Sequence, residues 1–315
     1  MRTLRLPVHA ELPPGDPAAV SISVSPRGRL FALSLSERLE RARPKKKNAK
    51  PKPKSPERWL KVLDDGAWTA IPLPEDGQPI HFAEPLPGGG LLVVGARSSF
   101  RGPGNFDKNA RSIDATGKLE RAFLLGDGIS NVQVTEDGQI WTGYFDEGVF
   151  GNRGWNDPIG APGLLCWNSA GERIFEFDPG AAGTDDICDV YAMNIASNQD
   201  AWVYFYMDFA LVRIRNQRSY TAWKCPVKGS HAFAVFGNLA FFSGGYDEPN
   251  LFRLYSLEKD GKMRRLETFS LADEEGEPLV QPMASARGAI MAVTSGQRVY
   301  RIDIRELDRG PGRRG

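Results

Sequence analysis

"TEDGQIWTGYFDEG", residues 135–148, joins a tight polar turn to an aromatic strand and then ends abruptly in two acids. Laid over the rest of the chain, its first ten residues recur in form as "SPRGRLFALS" from 25, "LPGGGLLVVG" from 86, "SNQDAWVYFY" from 197, "VFGNLAFFSG" from 235 and "SARGAIMAVT" from 285. Every copy carries Gly, Asp or Asn at its fourth position, residue types that tolerate the positive φ of a tight hairpin turn. The apolar run that follows is rich in aromatic and β-branched residues, as suits a strand covered on both faces. Six hairpins are predicted.

After each run comes a gap of variable length and then a second strand pair, as in "RWLKVLDDGAWTAIPLP", "RSIDATGKLERAFLLG", "GLLCWNSAGERIFEFD", "LFRLYSLEKDGKMRRLETFSL" and the less regular "ALVRIRNQRSYTAWKC". The unit is therefore four strands. Its turn positions, Gly28, Gly89, Gly138, Asp200, Asn238 and Gly288, lie about 50 residues apart on average, close to the length of a propeller blade with small insertions. The sixth unit has three strands in sequence, and "TLRLPV" (residues 3–8) is assigned as its missing outermost strand, which closes the ring and hides sheet edges. The fold expected is all-β: a six-bladed β-propeller of four-stranded antiparallel blades, one domain over residues 1–308, followed by a disordered tail at 309–315.

The six copies look like a six-bladed propeller, and "NVQVTEDGQIWTGY" is similar to the blade signatures of NHL-repeat and SMP-30/gluconolactonase-like propellers. In the lactonase-like members a central cation is held by a Glu from an "EGP" element and by Asn and Asp residues on inner strands. The resemblance places Asn131 on that pattern; Glu84, in "FAEPLPGG", falls at the turn end of its strand rather than the start, and no aspartate matches. Blades of this type serve unrelated activities, so the likeness implies architecture rather than chemistry.

Composition narrows the function classes. Forty basic against thirty-nine acidic residues leave a net charge of +1, which supplies no overall field for nucleic acid or anionic membrane. The Lys/Pro-alternating segment inside the insertion at 38–57 lacks aromatics on which bases could stack, and it reads as a flexible, solvated arm. Three cysteines without a CxxC pair argue against a disulfide framework or a structural zinc site. No apolar run approaches the ~18 residues of a membrane span, and the N-terminus lacks an apolar signal core, so a soluble, cytoplasmic monomer is expected.

Strand direction fixes where a site can lie. Loops after the second strand of each blade all open on the face where the inner strands begin, and the long insertions fall there: 36–57, 96–109, 145–163 and 244–250. Long loops on a rigid scaffold are the usual carriers of binding residues. Asp146, Asp208 and Asp247 follow the second strands of three successive blades, with Tyr246, Phe209 and Trp155 as aromatic walls in or beside the loops. The starts of the inner strands add His81, Asn131, Asp189, Tyr191, His231 and Gln281 at the channel mouth. These residues point to a non-catalytic propeller that binds a protein or a small polar ligand on the elaborated face, with no cofactor. The alternative is a metal-assisted hydrolase or lactonase with a divalent cation at the channel mouth; HExxH and GxSxG signatures are absent.

Overall fold

At the turn of the quoted stretch Gly138 takes a φ of 87°, its N–H reaches the Thr135 carbonyl at 3.0 Å, and the Thr135 hydroxyl accepts the Gln139 N–H at 2.8 Å. The first copy repeats the device: Gly28 has a φ of 74°, and the Ser25 hydroxyl accepts the Arg29 N–H at 3.0 Å. Two copies build the turn otherwise. In "VFGN" the positive φ belongs to Gly237, at 60°, and not to Asn238. In "SNQD" no residue has a positive φ, and Asp200 instead receives two hydrogen bonds of 2.7 Å from Arg213, which lies over the Trp202 ring.

The computed structural model describes residues 1–13, 20–34, 59–64, 66–74 and 78–307; the basic insertion expected at 38–57 and the tail at 309–315 lie outside the described residues. Two short strands, β1 (Arg2–Arg5) and β2 (Ala10–Glu11), precede the repeats. Blade one is β3 (Val20–Val24), β4 (Leu30–Ser34), β5 (Leu60–Asp64) and β6 (Ala67–Ile71). Blade two is β7 (Phe82–Pro85), β8 (Leu91–Val94), β9 (Ala110–Ile113) and β10 (Leu119–Phe123). Blade three is β11 (Ile129–Val134), β12 (Ile140–Tyr144), β13 (Leu164–Trp167) and β14 (Arg173–Glu176). Blade four is β15 (Asp189–Ser197), β16 (Asp200–Tyr206), β17 (Ala210–Arg215) and β18 (Ser219–Lys224). Blade five is β19 (Phe233–Phe236), β20 (Leu239–Phe242), β21 (Leu251–Leu257) and β22 (Met263–Ala272), and blade six contains β23 (Met283–Arg287), β24 (Ile290–Ser295) and β25 (Arg298–Asp303).

The fold is all-β, six blades of four antiparallel strands in a ring, as the repeat predicts. The second strands β8, β12 and β20 are buried at every residue, which is why their sequences do not alternate. Among the described residues, apolar side chains gather into six clusters, each formed chiefly where one blade faces the next. Trp141, Leu164 and Cys166 of blade three, for instance, meet Val190, Val203 and Phe205 of blade four. Among the described residues no helix is long and apolar enough to cross a membrane.

The N-terminal segment closes the ring, but not with the residues expected. β1 runs parallel along β22, as a fifth strand on the outer edge of blade five, with Thr3 opposite Ser270. The fourth strand of blade six is β2: Ala10 pairs with Val299 antiparallel, and the N–H groups of His9 and Leu12 extend the ladder to Val299 and Gln297 at 2.8 and 2.7 Å. Counting strands revealed one vacancy in blade six but not the free edge of the ten-residue β22, which takes up the "TLRL" run first. Leu6 and Leu12 bury their side chains on either side of this crossing, in the clusters between blades five and six and between six and one.

At the hairpin end of the inner strands the central channel is filled by one ionic hub. Arg287 on β23 donates to the Glu84 carboxylate at 3.0 Å, to the Ile195 carbonyl at 3.1 Å and to the Val134 carbonyl. Glu84 on β7 also accepts the Val134 N–H at 3.1 Å. Side chains of Gln133 and Asn194 continue the net: Gln133 accepts the Ile195 N–H at 2.7 Å, and Asn194 donates to Phe233 and accepts from Gly288. Burial pushes the Glu84 carboxyl up and the Arg287 guanidinium down, and each is the other's counter-charge.

Two outcomes follow from these contacts. Removing residues 1–5 should strip only the extra strand of blade five and lower the melting temperature modestly, whereas removing residues 1–13 should also delete Leu6, Leu12 and β2 and cost several times more; equal losses would place closure elsewhere. Arg287→Met strands a buried carboxylate and should destabilise by about 3–5 kcal/mol in urea unfolding, with Arg287→Met/Glu84→Gln recovering part of the loss. A double variant no better than the single would show that the packing, not the charge pairing, is what Arg287 supplies.

Candidate functional site at the wide mouth of the channel

Opposite the hub, where the inner strands begin, the channel opens into a cavity of about 640 Å³. Its lining comes from five blades at polar positions: Ser21 and Ser23, His81 and Arg97, Ser130, Asn131 and Arg153, His231, and Ser285. Glu84 and Gln133 also line it, so the hub is continuous with its floor. A second lobe of about 700 Å³ shares Ser21, His231 and Ser285 with the first and extends over Gly229, Gly245, Tyr246 and Met283. The two lobes make one funnel.

The wall on the side of blades two and three is built by the insertion loops after β8 and β12. Buried Asp127 receives two hydrogen bonds from Arg97, at 2.9 and 2.8 Å, and one from the Ser98 N–H at 2.7 Å. Arg97 also pairs with Glu147 and lies over the Phe145 ring. Trp155 fastens the two loops together. Its indole donates to the Ser98 carbonyl at 2.9 Å and its ring packs on Phe100 at 4.8 Å and on Phe106. The Phe100 N–H in turn binds the Arg153 carbonyl at 2.9 Å. A Cβ at Gly154 would come within 2.2 Å of the Phe100 carbonyl oxygen, so only glycine permits this approach.

His81 begins the same wall. Its Nδ1 accepts the Ala96 N–H at 3.1 Å, which puts the proton of the neutral ring on Nε2.

The wall on the side of blades four and five is aromatic. Tyr191 stacks on His231 at 5.4 Å and on Tyr206 at 6.2 Å, and meets Phe209 and Tyr246 edge-on. The hydroxyls of Tyr191 and Tyr246 hydrogen-bond to each other, and burial pushes the Tyr191 phenol up. Gly229 makes room for Tyr246, because a Cβ there would sit 2.4 Å from the ring. Asp189 lies beside Tyr191 and near Asp146; burial first, and then the Asp146 charge, raise its carboxyl to about 6.

Of the residues singled out from sequence, His81, Asn131, His231 and Tyr246 line the funnel; Phe209 packs edge-on against Tyr246 and Asp189 lies beside Tyr191, behind the lining. Asp146 is exposed on the blade-three rim. Asp208 points elsewhere: its carboxyl is raised mainly by a hydrogen bond with Asp185. Asp247 is exposed and lines neither lobe. Trp155, expected as an aromatic wall, is buried as the fastener between loops, since its indole N–H finds a backbone carbonyl within reach. Sequence reasoning did not single out Arg97, Arg153 or the serines. The signal present was "GNRGW", where two glycines flank an arginine inside an insertion already marked as elaborated.

Among the described residues no three His, Cys, Asp or Glu side chains converge as a metal site would require. Glu84, the glutamate weighed against the lactonase-like pattern and set at the wrong end of its strand, is committed to Arg287 and to the Val134 N–H. Cys166 and Cys225 are buried, and burial pushes both thiols up, away from the reactive thiolate.

No family model matches the chain, and no curated protein matches it in sequence. Virginiamycin B lyase from Staphylococcus aureus is similar in structure, with a TM-score of 0.53 at 12% identity over 92% of this chain and 82% of that one. Hsv2 from Kluyveromyces lactis gives 0.49 at 10% identity over 87% and 69% of the two chains, and YCF48 from Cyanidioschyzon merolae 0.47 at 8% over 88% and 77%. At such identities the likeness is one of fold, and the neighbours' roles vary.

Asp189 allows a test of the electrostatics of this face. A carboxyl held at about 6 opposes folding once it ionises, so stability is retained below the ordinary carboxylate range and falls as pH rises towards 6 and beyond. The full shift would correspond to about 3 kcal/mol, which solvent screening at this half-buried group reduces to about 1. Asp189→Asn should therefore match the wild type in urea unfolding near pH 4 and exceed it by about 1 kcal/mol at pH 7.5. A difference that does not change with pH would show that the carboxyl is not held high.

Proposed function

We propose that this propeller binds a small polar ligand in the wide mouth of its central channel and performs no chemistry on it. The observation that carries the reading is the cavity of about 640 Å³, into which Ser21, His81, Asn131, His231 and Ser285 converge from five inner strands. Concave sites of this size with a few convergent polar groups are the usual form of small-molecule sites. The insertions support a pocket rather than a protein-docking arm, because the loop carrying Trp155 folds back onto the loop carrying Ser98 instead of projecting. Metal-assisted hydrolysis is less well supported, since it needs a ligand set that the described residues do not bring together.

A panel of metabolites screened by thermal shift tests the proposal. Compounds that raise the melting temperature should bind the wild type with a stoichiometry of one in calorimetry. Asn131→Leu and His231→Ala should each weaken them by about 1–3 kcal/mol, the range for loss of a buried hydrogen bond, while leaving the unliganded melting temperature within a few degrees. Failure of both substitutions to affect any hit would move the site away from the channel mouth. Conversion of a hit into product, followed by NMR, would replace the binding reading with a catalytic one.

A further inference from the structure

The funnel has two unlike walls, and its cations lie on one of them. Arg97 and Arg153 both line the cavity on the side of blades two and three. Arg97 is neutralised by Asp127 and Glu147. Arg153 is not: no carboxylate among the described residues lies within ion-pair distance of it. The acids of the mouth are elsewhere or engaged: Asp146 and Asp189 stand beside the tyrosine wall, Asp127 and Glu147 are held by Arg97, and Glu84 on the floor is held by Arg287.

The position of Arg153 is also imposed rather than relaxed. Its φ of 48° is in the left-handed region, which arginine rarely adopts. Three contacts keep it there: the Asn152 side chain accepts its N–H at 2.6 Å, its carbonyl accepts the Phe100 N–H, and Trp155 two residues on is fastened to Ser98. Non-glycine residues held in such conformations by their surroundings concentrate at ligand clamps and active sites. On the adjoining inner strand the Asn131 side chain adds a neutral amide donor to the same cavity, and His81 lines it beside Arg97.

Resting on the pocket reading, we infer that the ligand carries an oxyanion, a carboxylate or a phosphate, that seats on Arg153 with Asn131 as a further hydrogen-bond donor and His81 in the adjoining lining. A planar guanidinium gives such groups paired, charge-assisted hydrogen bonds. Trp155 is then a positioning residue: it does not line the cavity, but it holds the loop that presents Arg153.

The chain has three histidines, His9, His81 and His231, so their imidazole proton resonances can be assigned from single His→Gln variants and followed by NMR. Inorganic phosphate, propionate and the neutral propionamide are titrated into the full chain at constant ionic strength and pH 7.5. Phosphate or propionate should shift the His81 resonance saturably, and whichever binds more tightly identifies the oxyanion. Propionamide should leave it unmoved. Arg153→Gln should weaken the tighter oxyanion at least tenfold, Arg153→Lys should weaken it less, and Trp155→Leu should weaken it without altering the chemistry of the donors. The inference is overturned if neither anion shifts His81 saturably, or if Arg153→Gln binds as tightly as the wild type. Should uncharged hits from the thermal-shift panel bind wild type and Arg153→Gln equally while the anions fail, the pocket stands and its anionic preference falls; if neither class binds, both readings fall.

Discussion

Everything at the centre of this ring answers to one buried guanidinium. Arg287 cannot lose its charge at ordinary pH, so once it is placed inside the channel its donors must be met by acceptors from several blades. They are: a carboxylate from blade two and carbonyls from blades three and four. A propeller otherwise coheres through apolar contacts between neighbours, which are tolerant of small sliding motions. A hydrogen-bonded ion pair is not tolerant, because a shift of an ångström leaves a charge unpaired in a medium of low polarity. The hub therefore fixes the register of the inner strands relative to one another at their hairpin ends.

That constraint sets the geometry of the opposite end. With the inner strands pinned below, their first residues are held at fixed separations around an open mouth, and the funnel between them is shaped by the scaffold rather than by loops alone. Gln133 shows the connection: its side chain belongs to the net that binds Ile195, and it also lines the cavity. The insertion loops then build on this base. Asp127 holds the turn that carries Arg97 and Ser98, and Trp155 ties the next blade's loop to it. The result is an asymmetric mouth, with guanidinium groups on one side and stacked rings with carboxylates on the other.

The rings illustrate how a single set of aromatic residues divides by task. Tyr144 and Tyr204 are fully buried and direct their hydroxyls to backbone carbonyls, of Leu125 and Val227 respectively, which makes them blade packing. Tyr246, 57% exposed and supported from below by Gly229, remains in contact with solvent at the mouth. The difference is not in residue type but in whether the strand or the loop carries the ring.

The amino-acid sequence alone determined the repeat, the number of blades, the identity of the hairpins and the face on which the insertions emerge. All of these depend on local patterns, namely turn-forming residues at fixed offsets and apolar runs, which recur within ten residues. It marked Asn131 and His231 for the mouth because strand starts are countable, but it assigned "TLRLPV" to blade six, since counting cannot tell which of two open edges a strand will take. The tertiary structure decided what depends on long-range encounters. Arg287 meets Glu84 across more than two hundred positions of chain, and Trp155 turns inward to a carbonyl in the neighbouring loop. Neither pairing has a local signature, because a side chain's partner is set by where two separate segments come to rest, and that is fixed only when the ring closes.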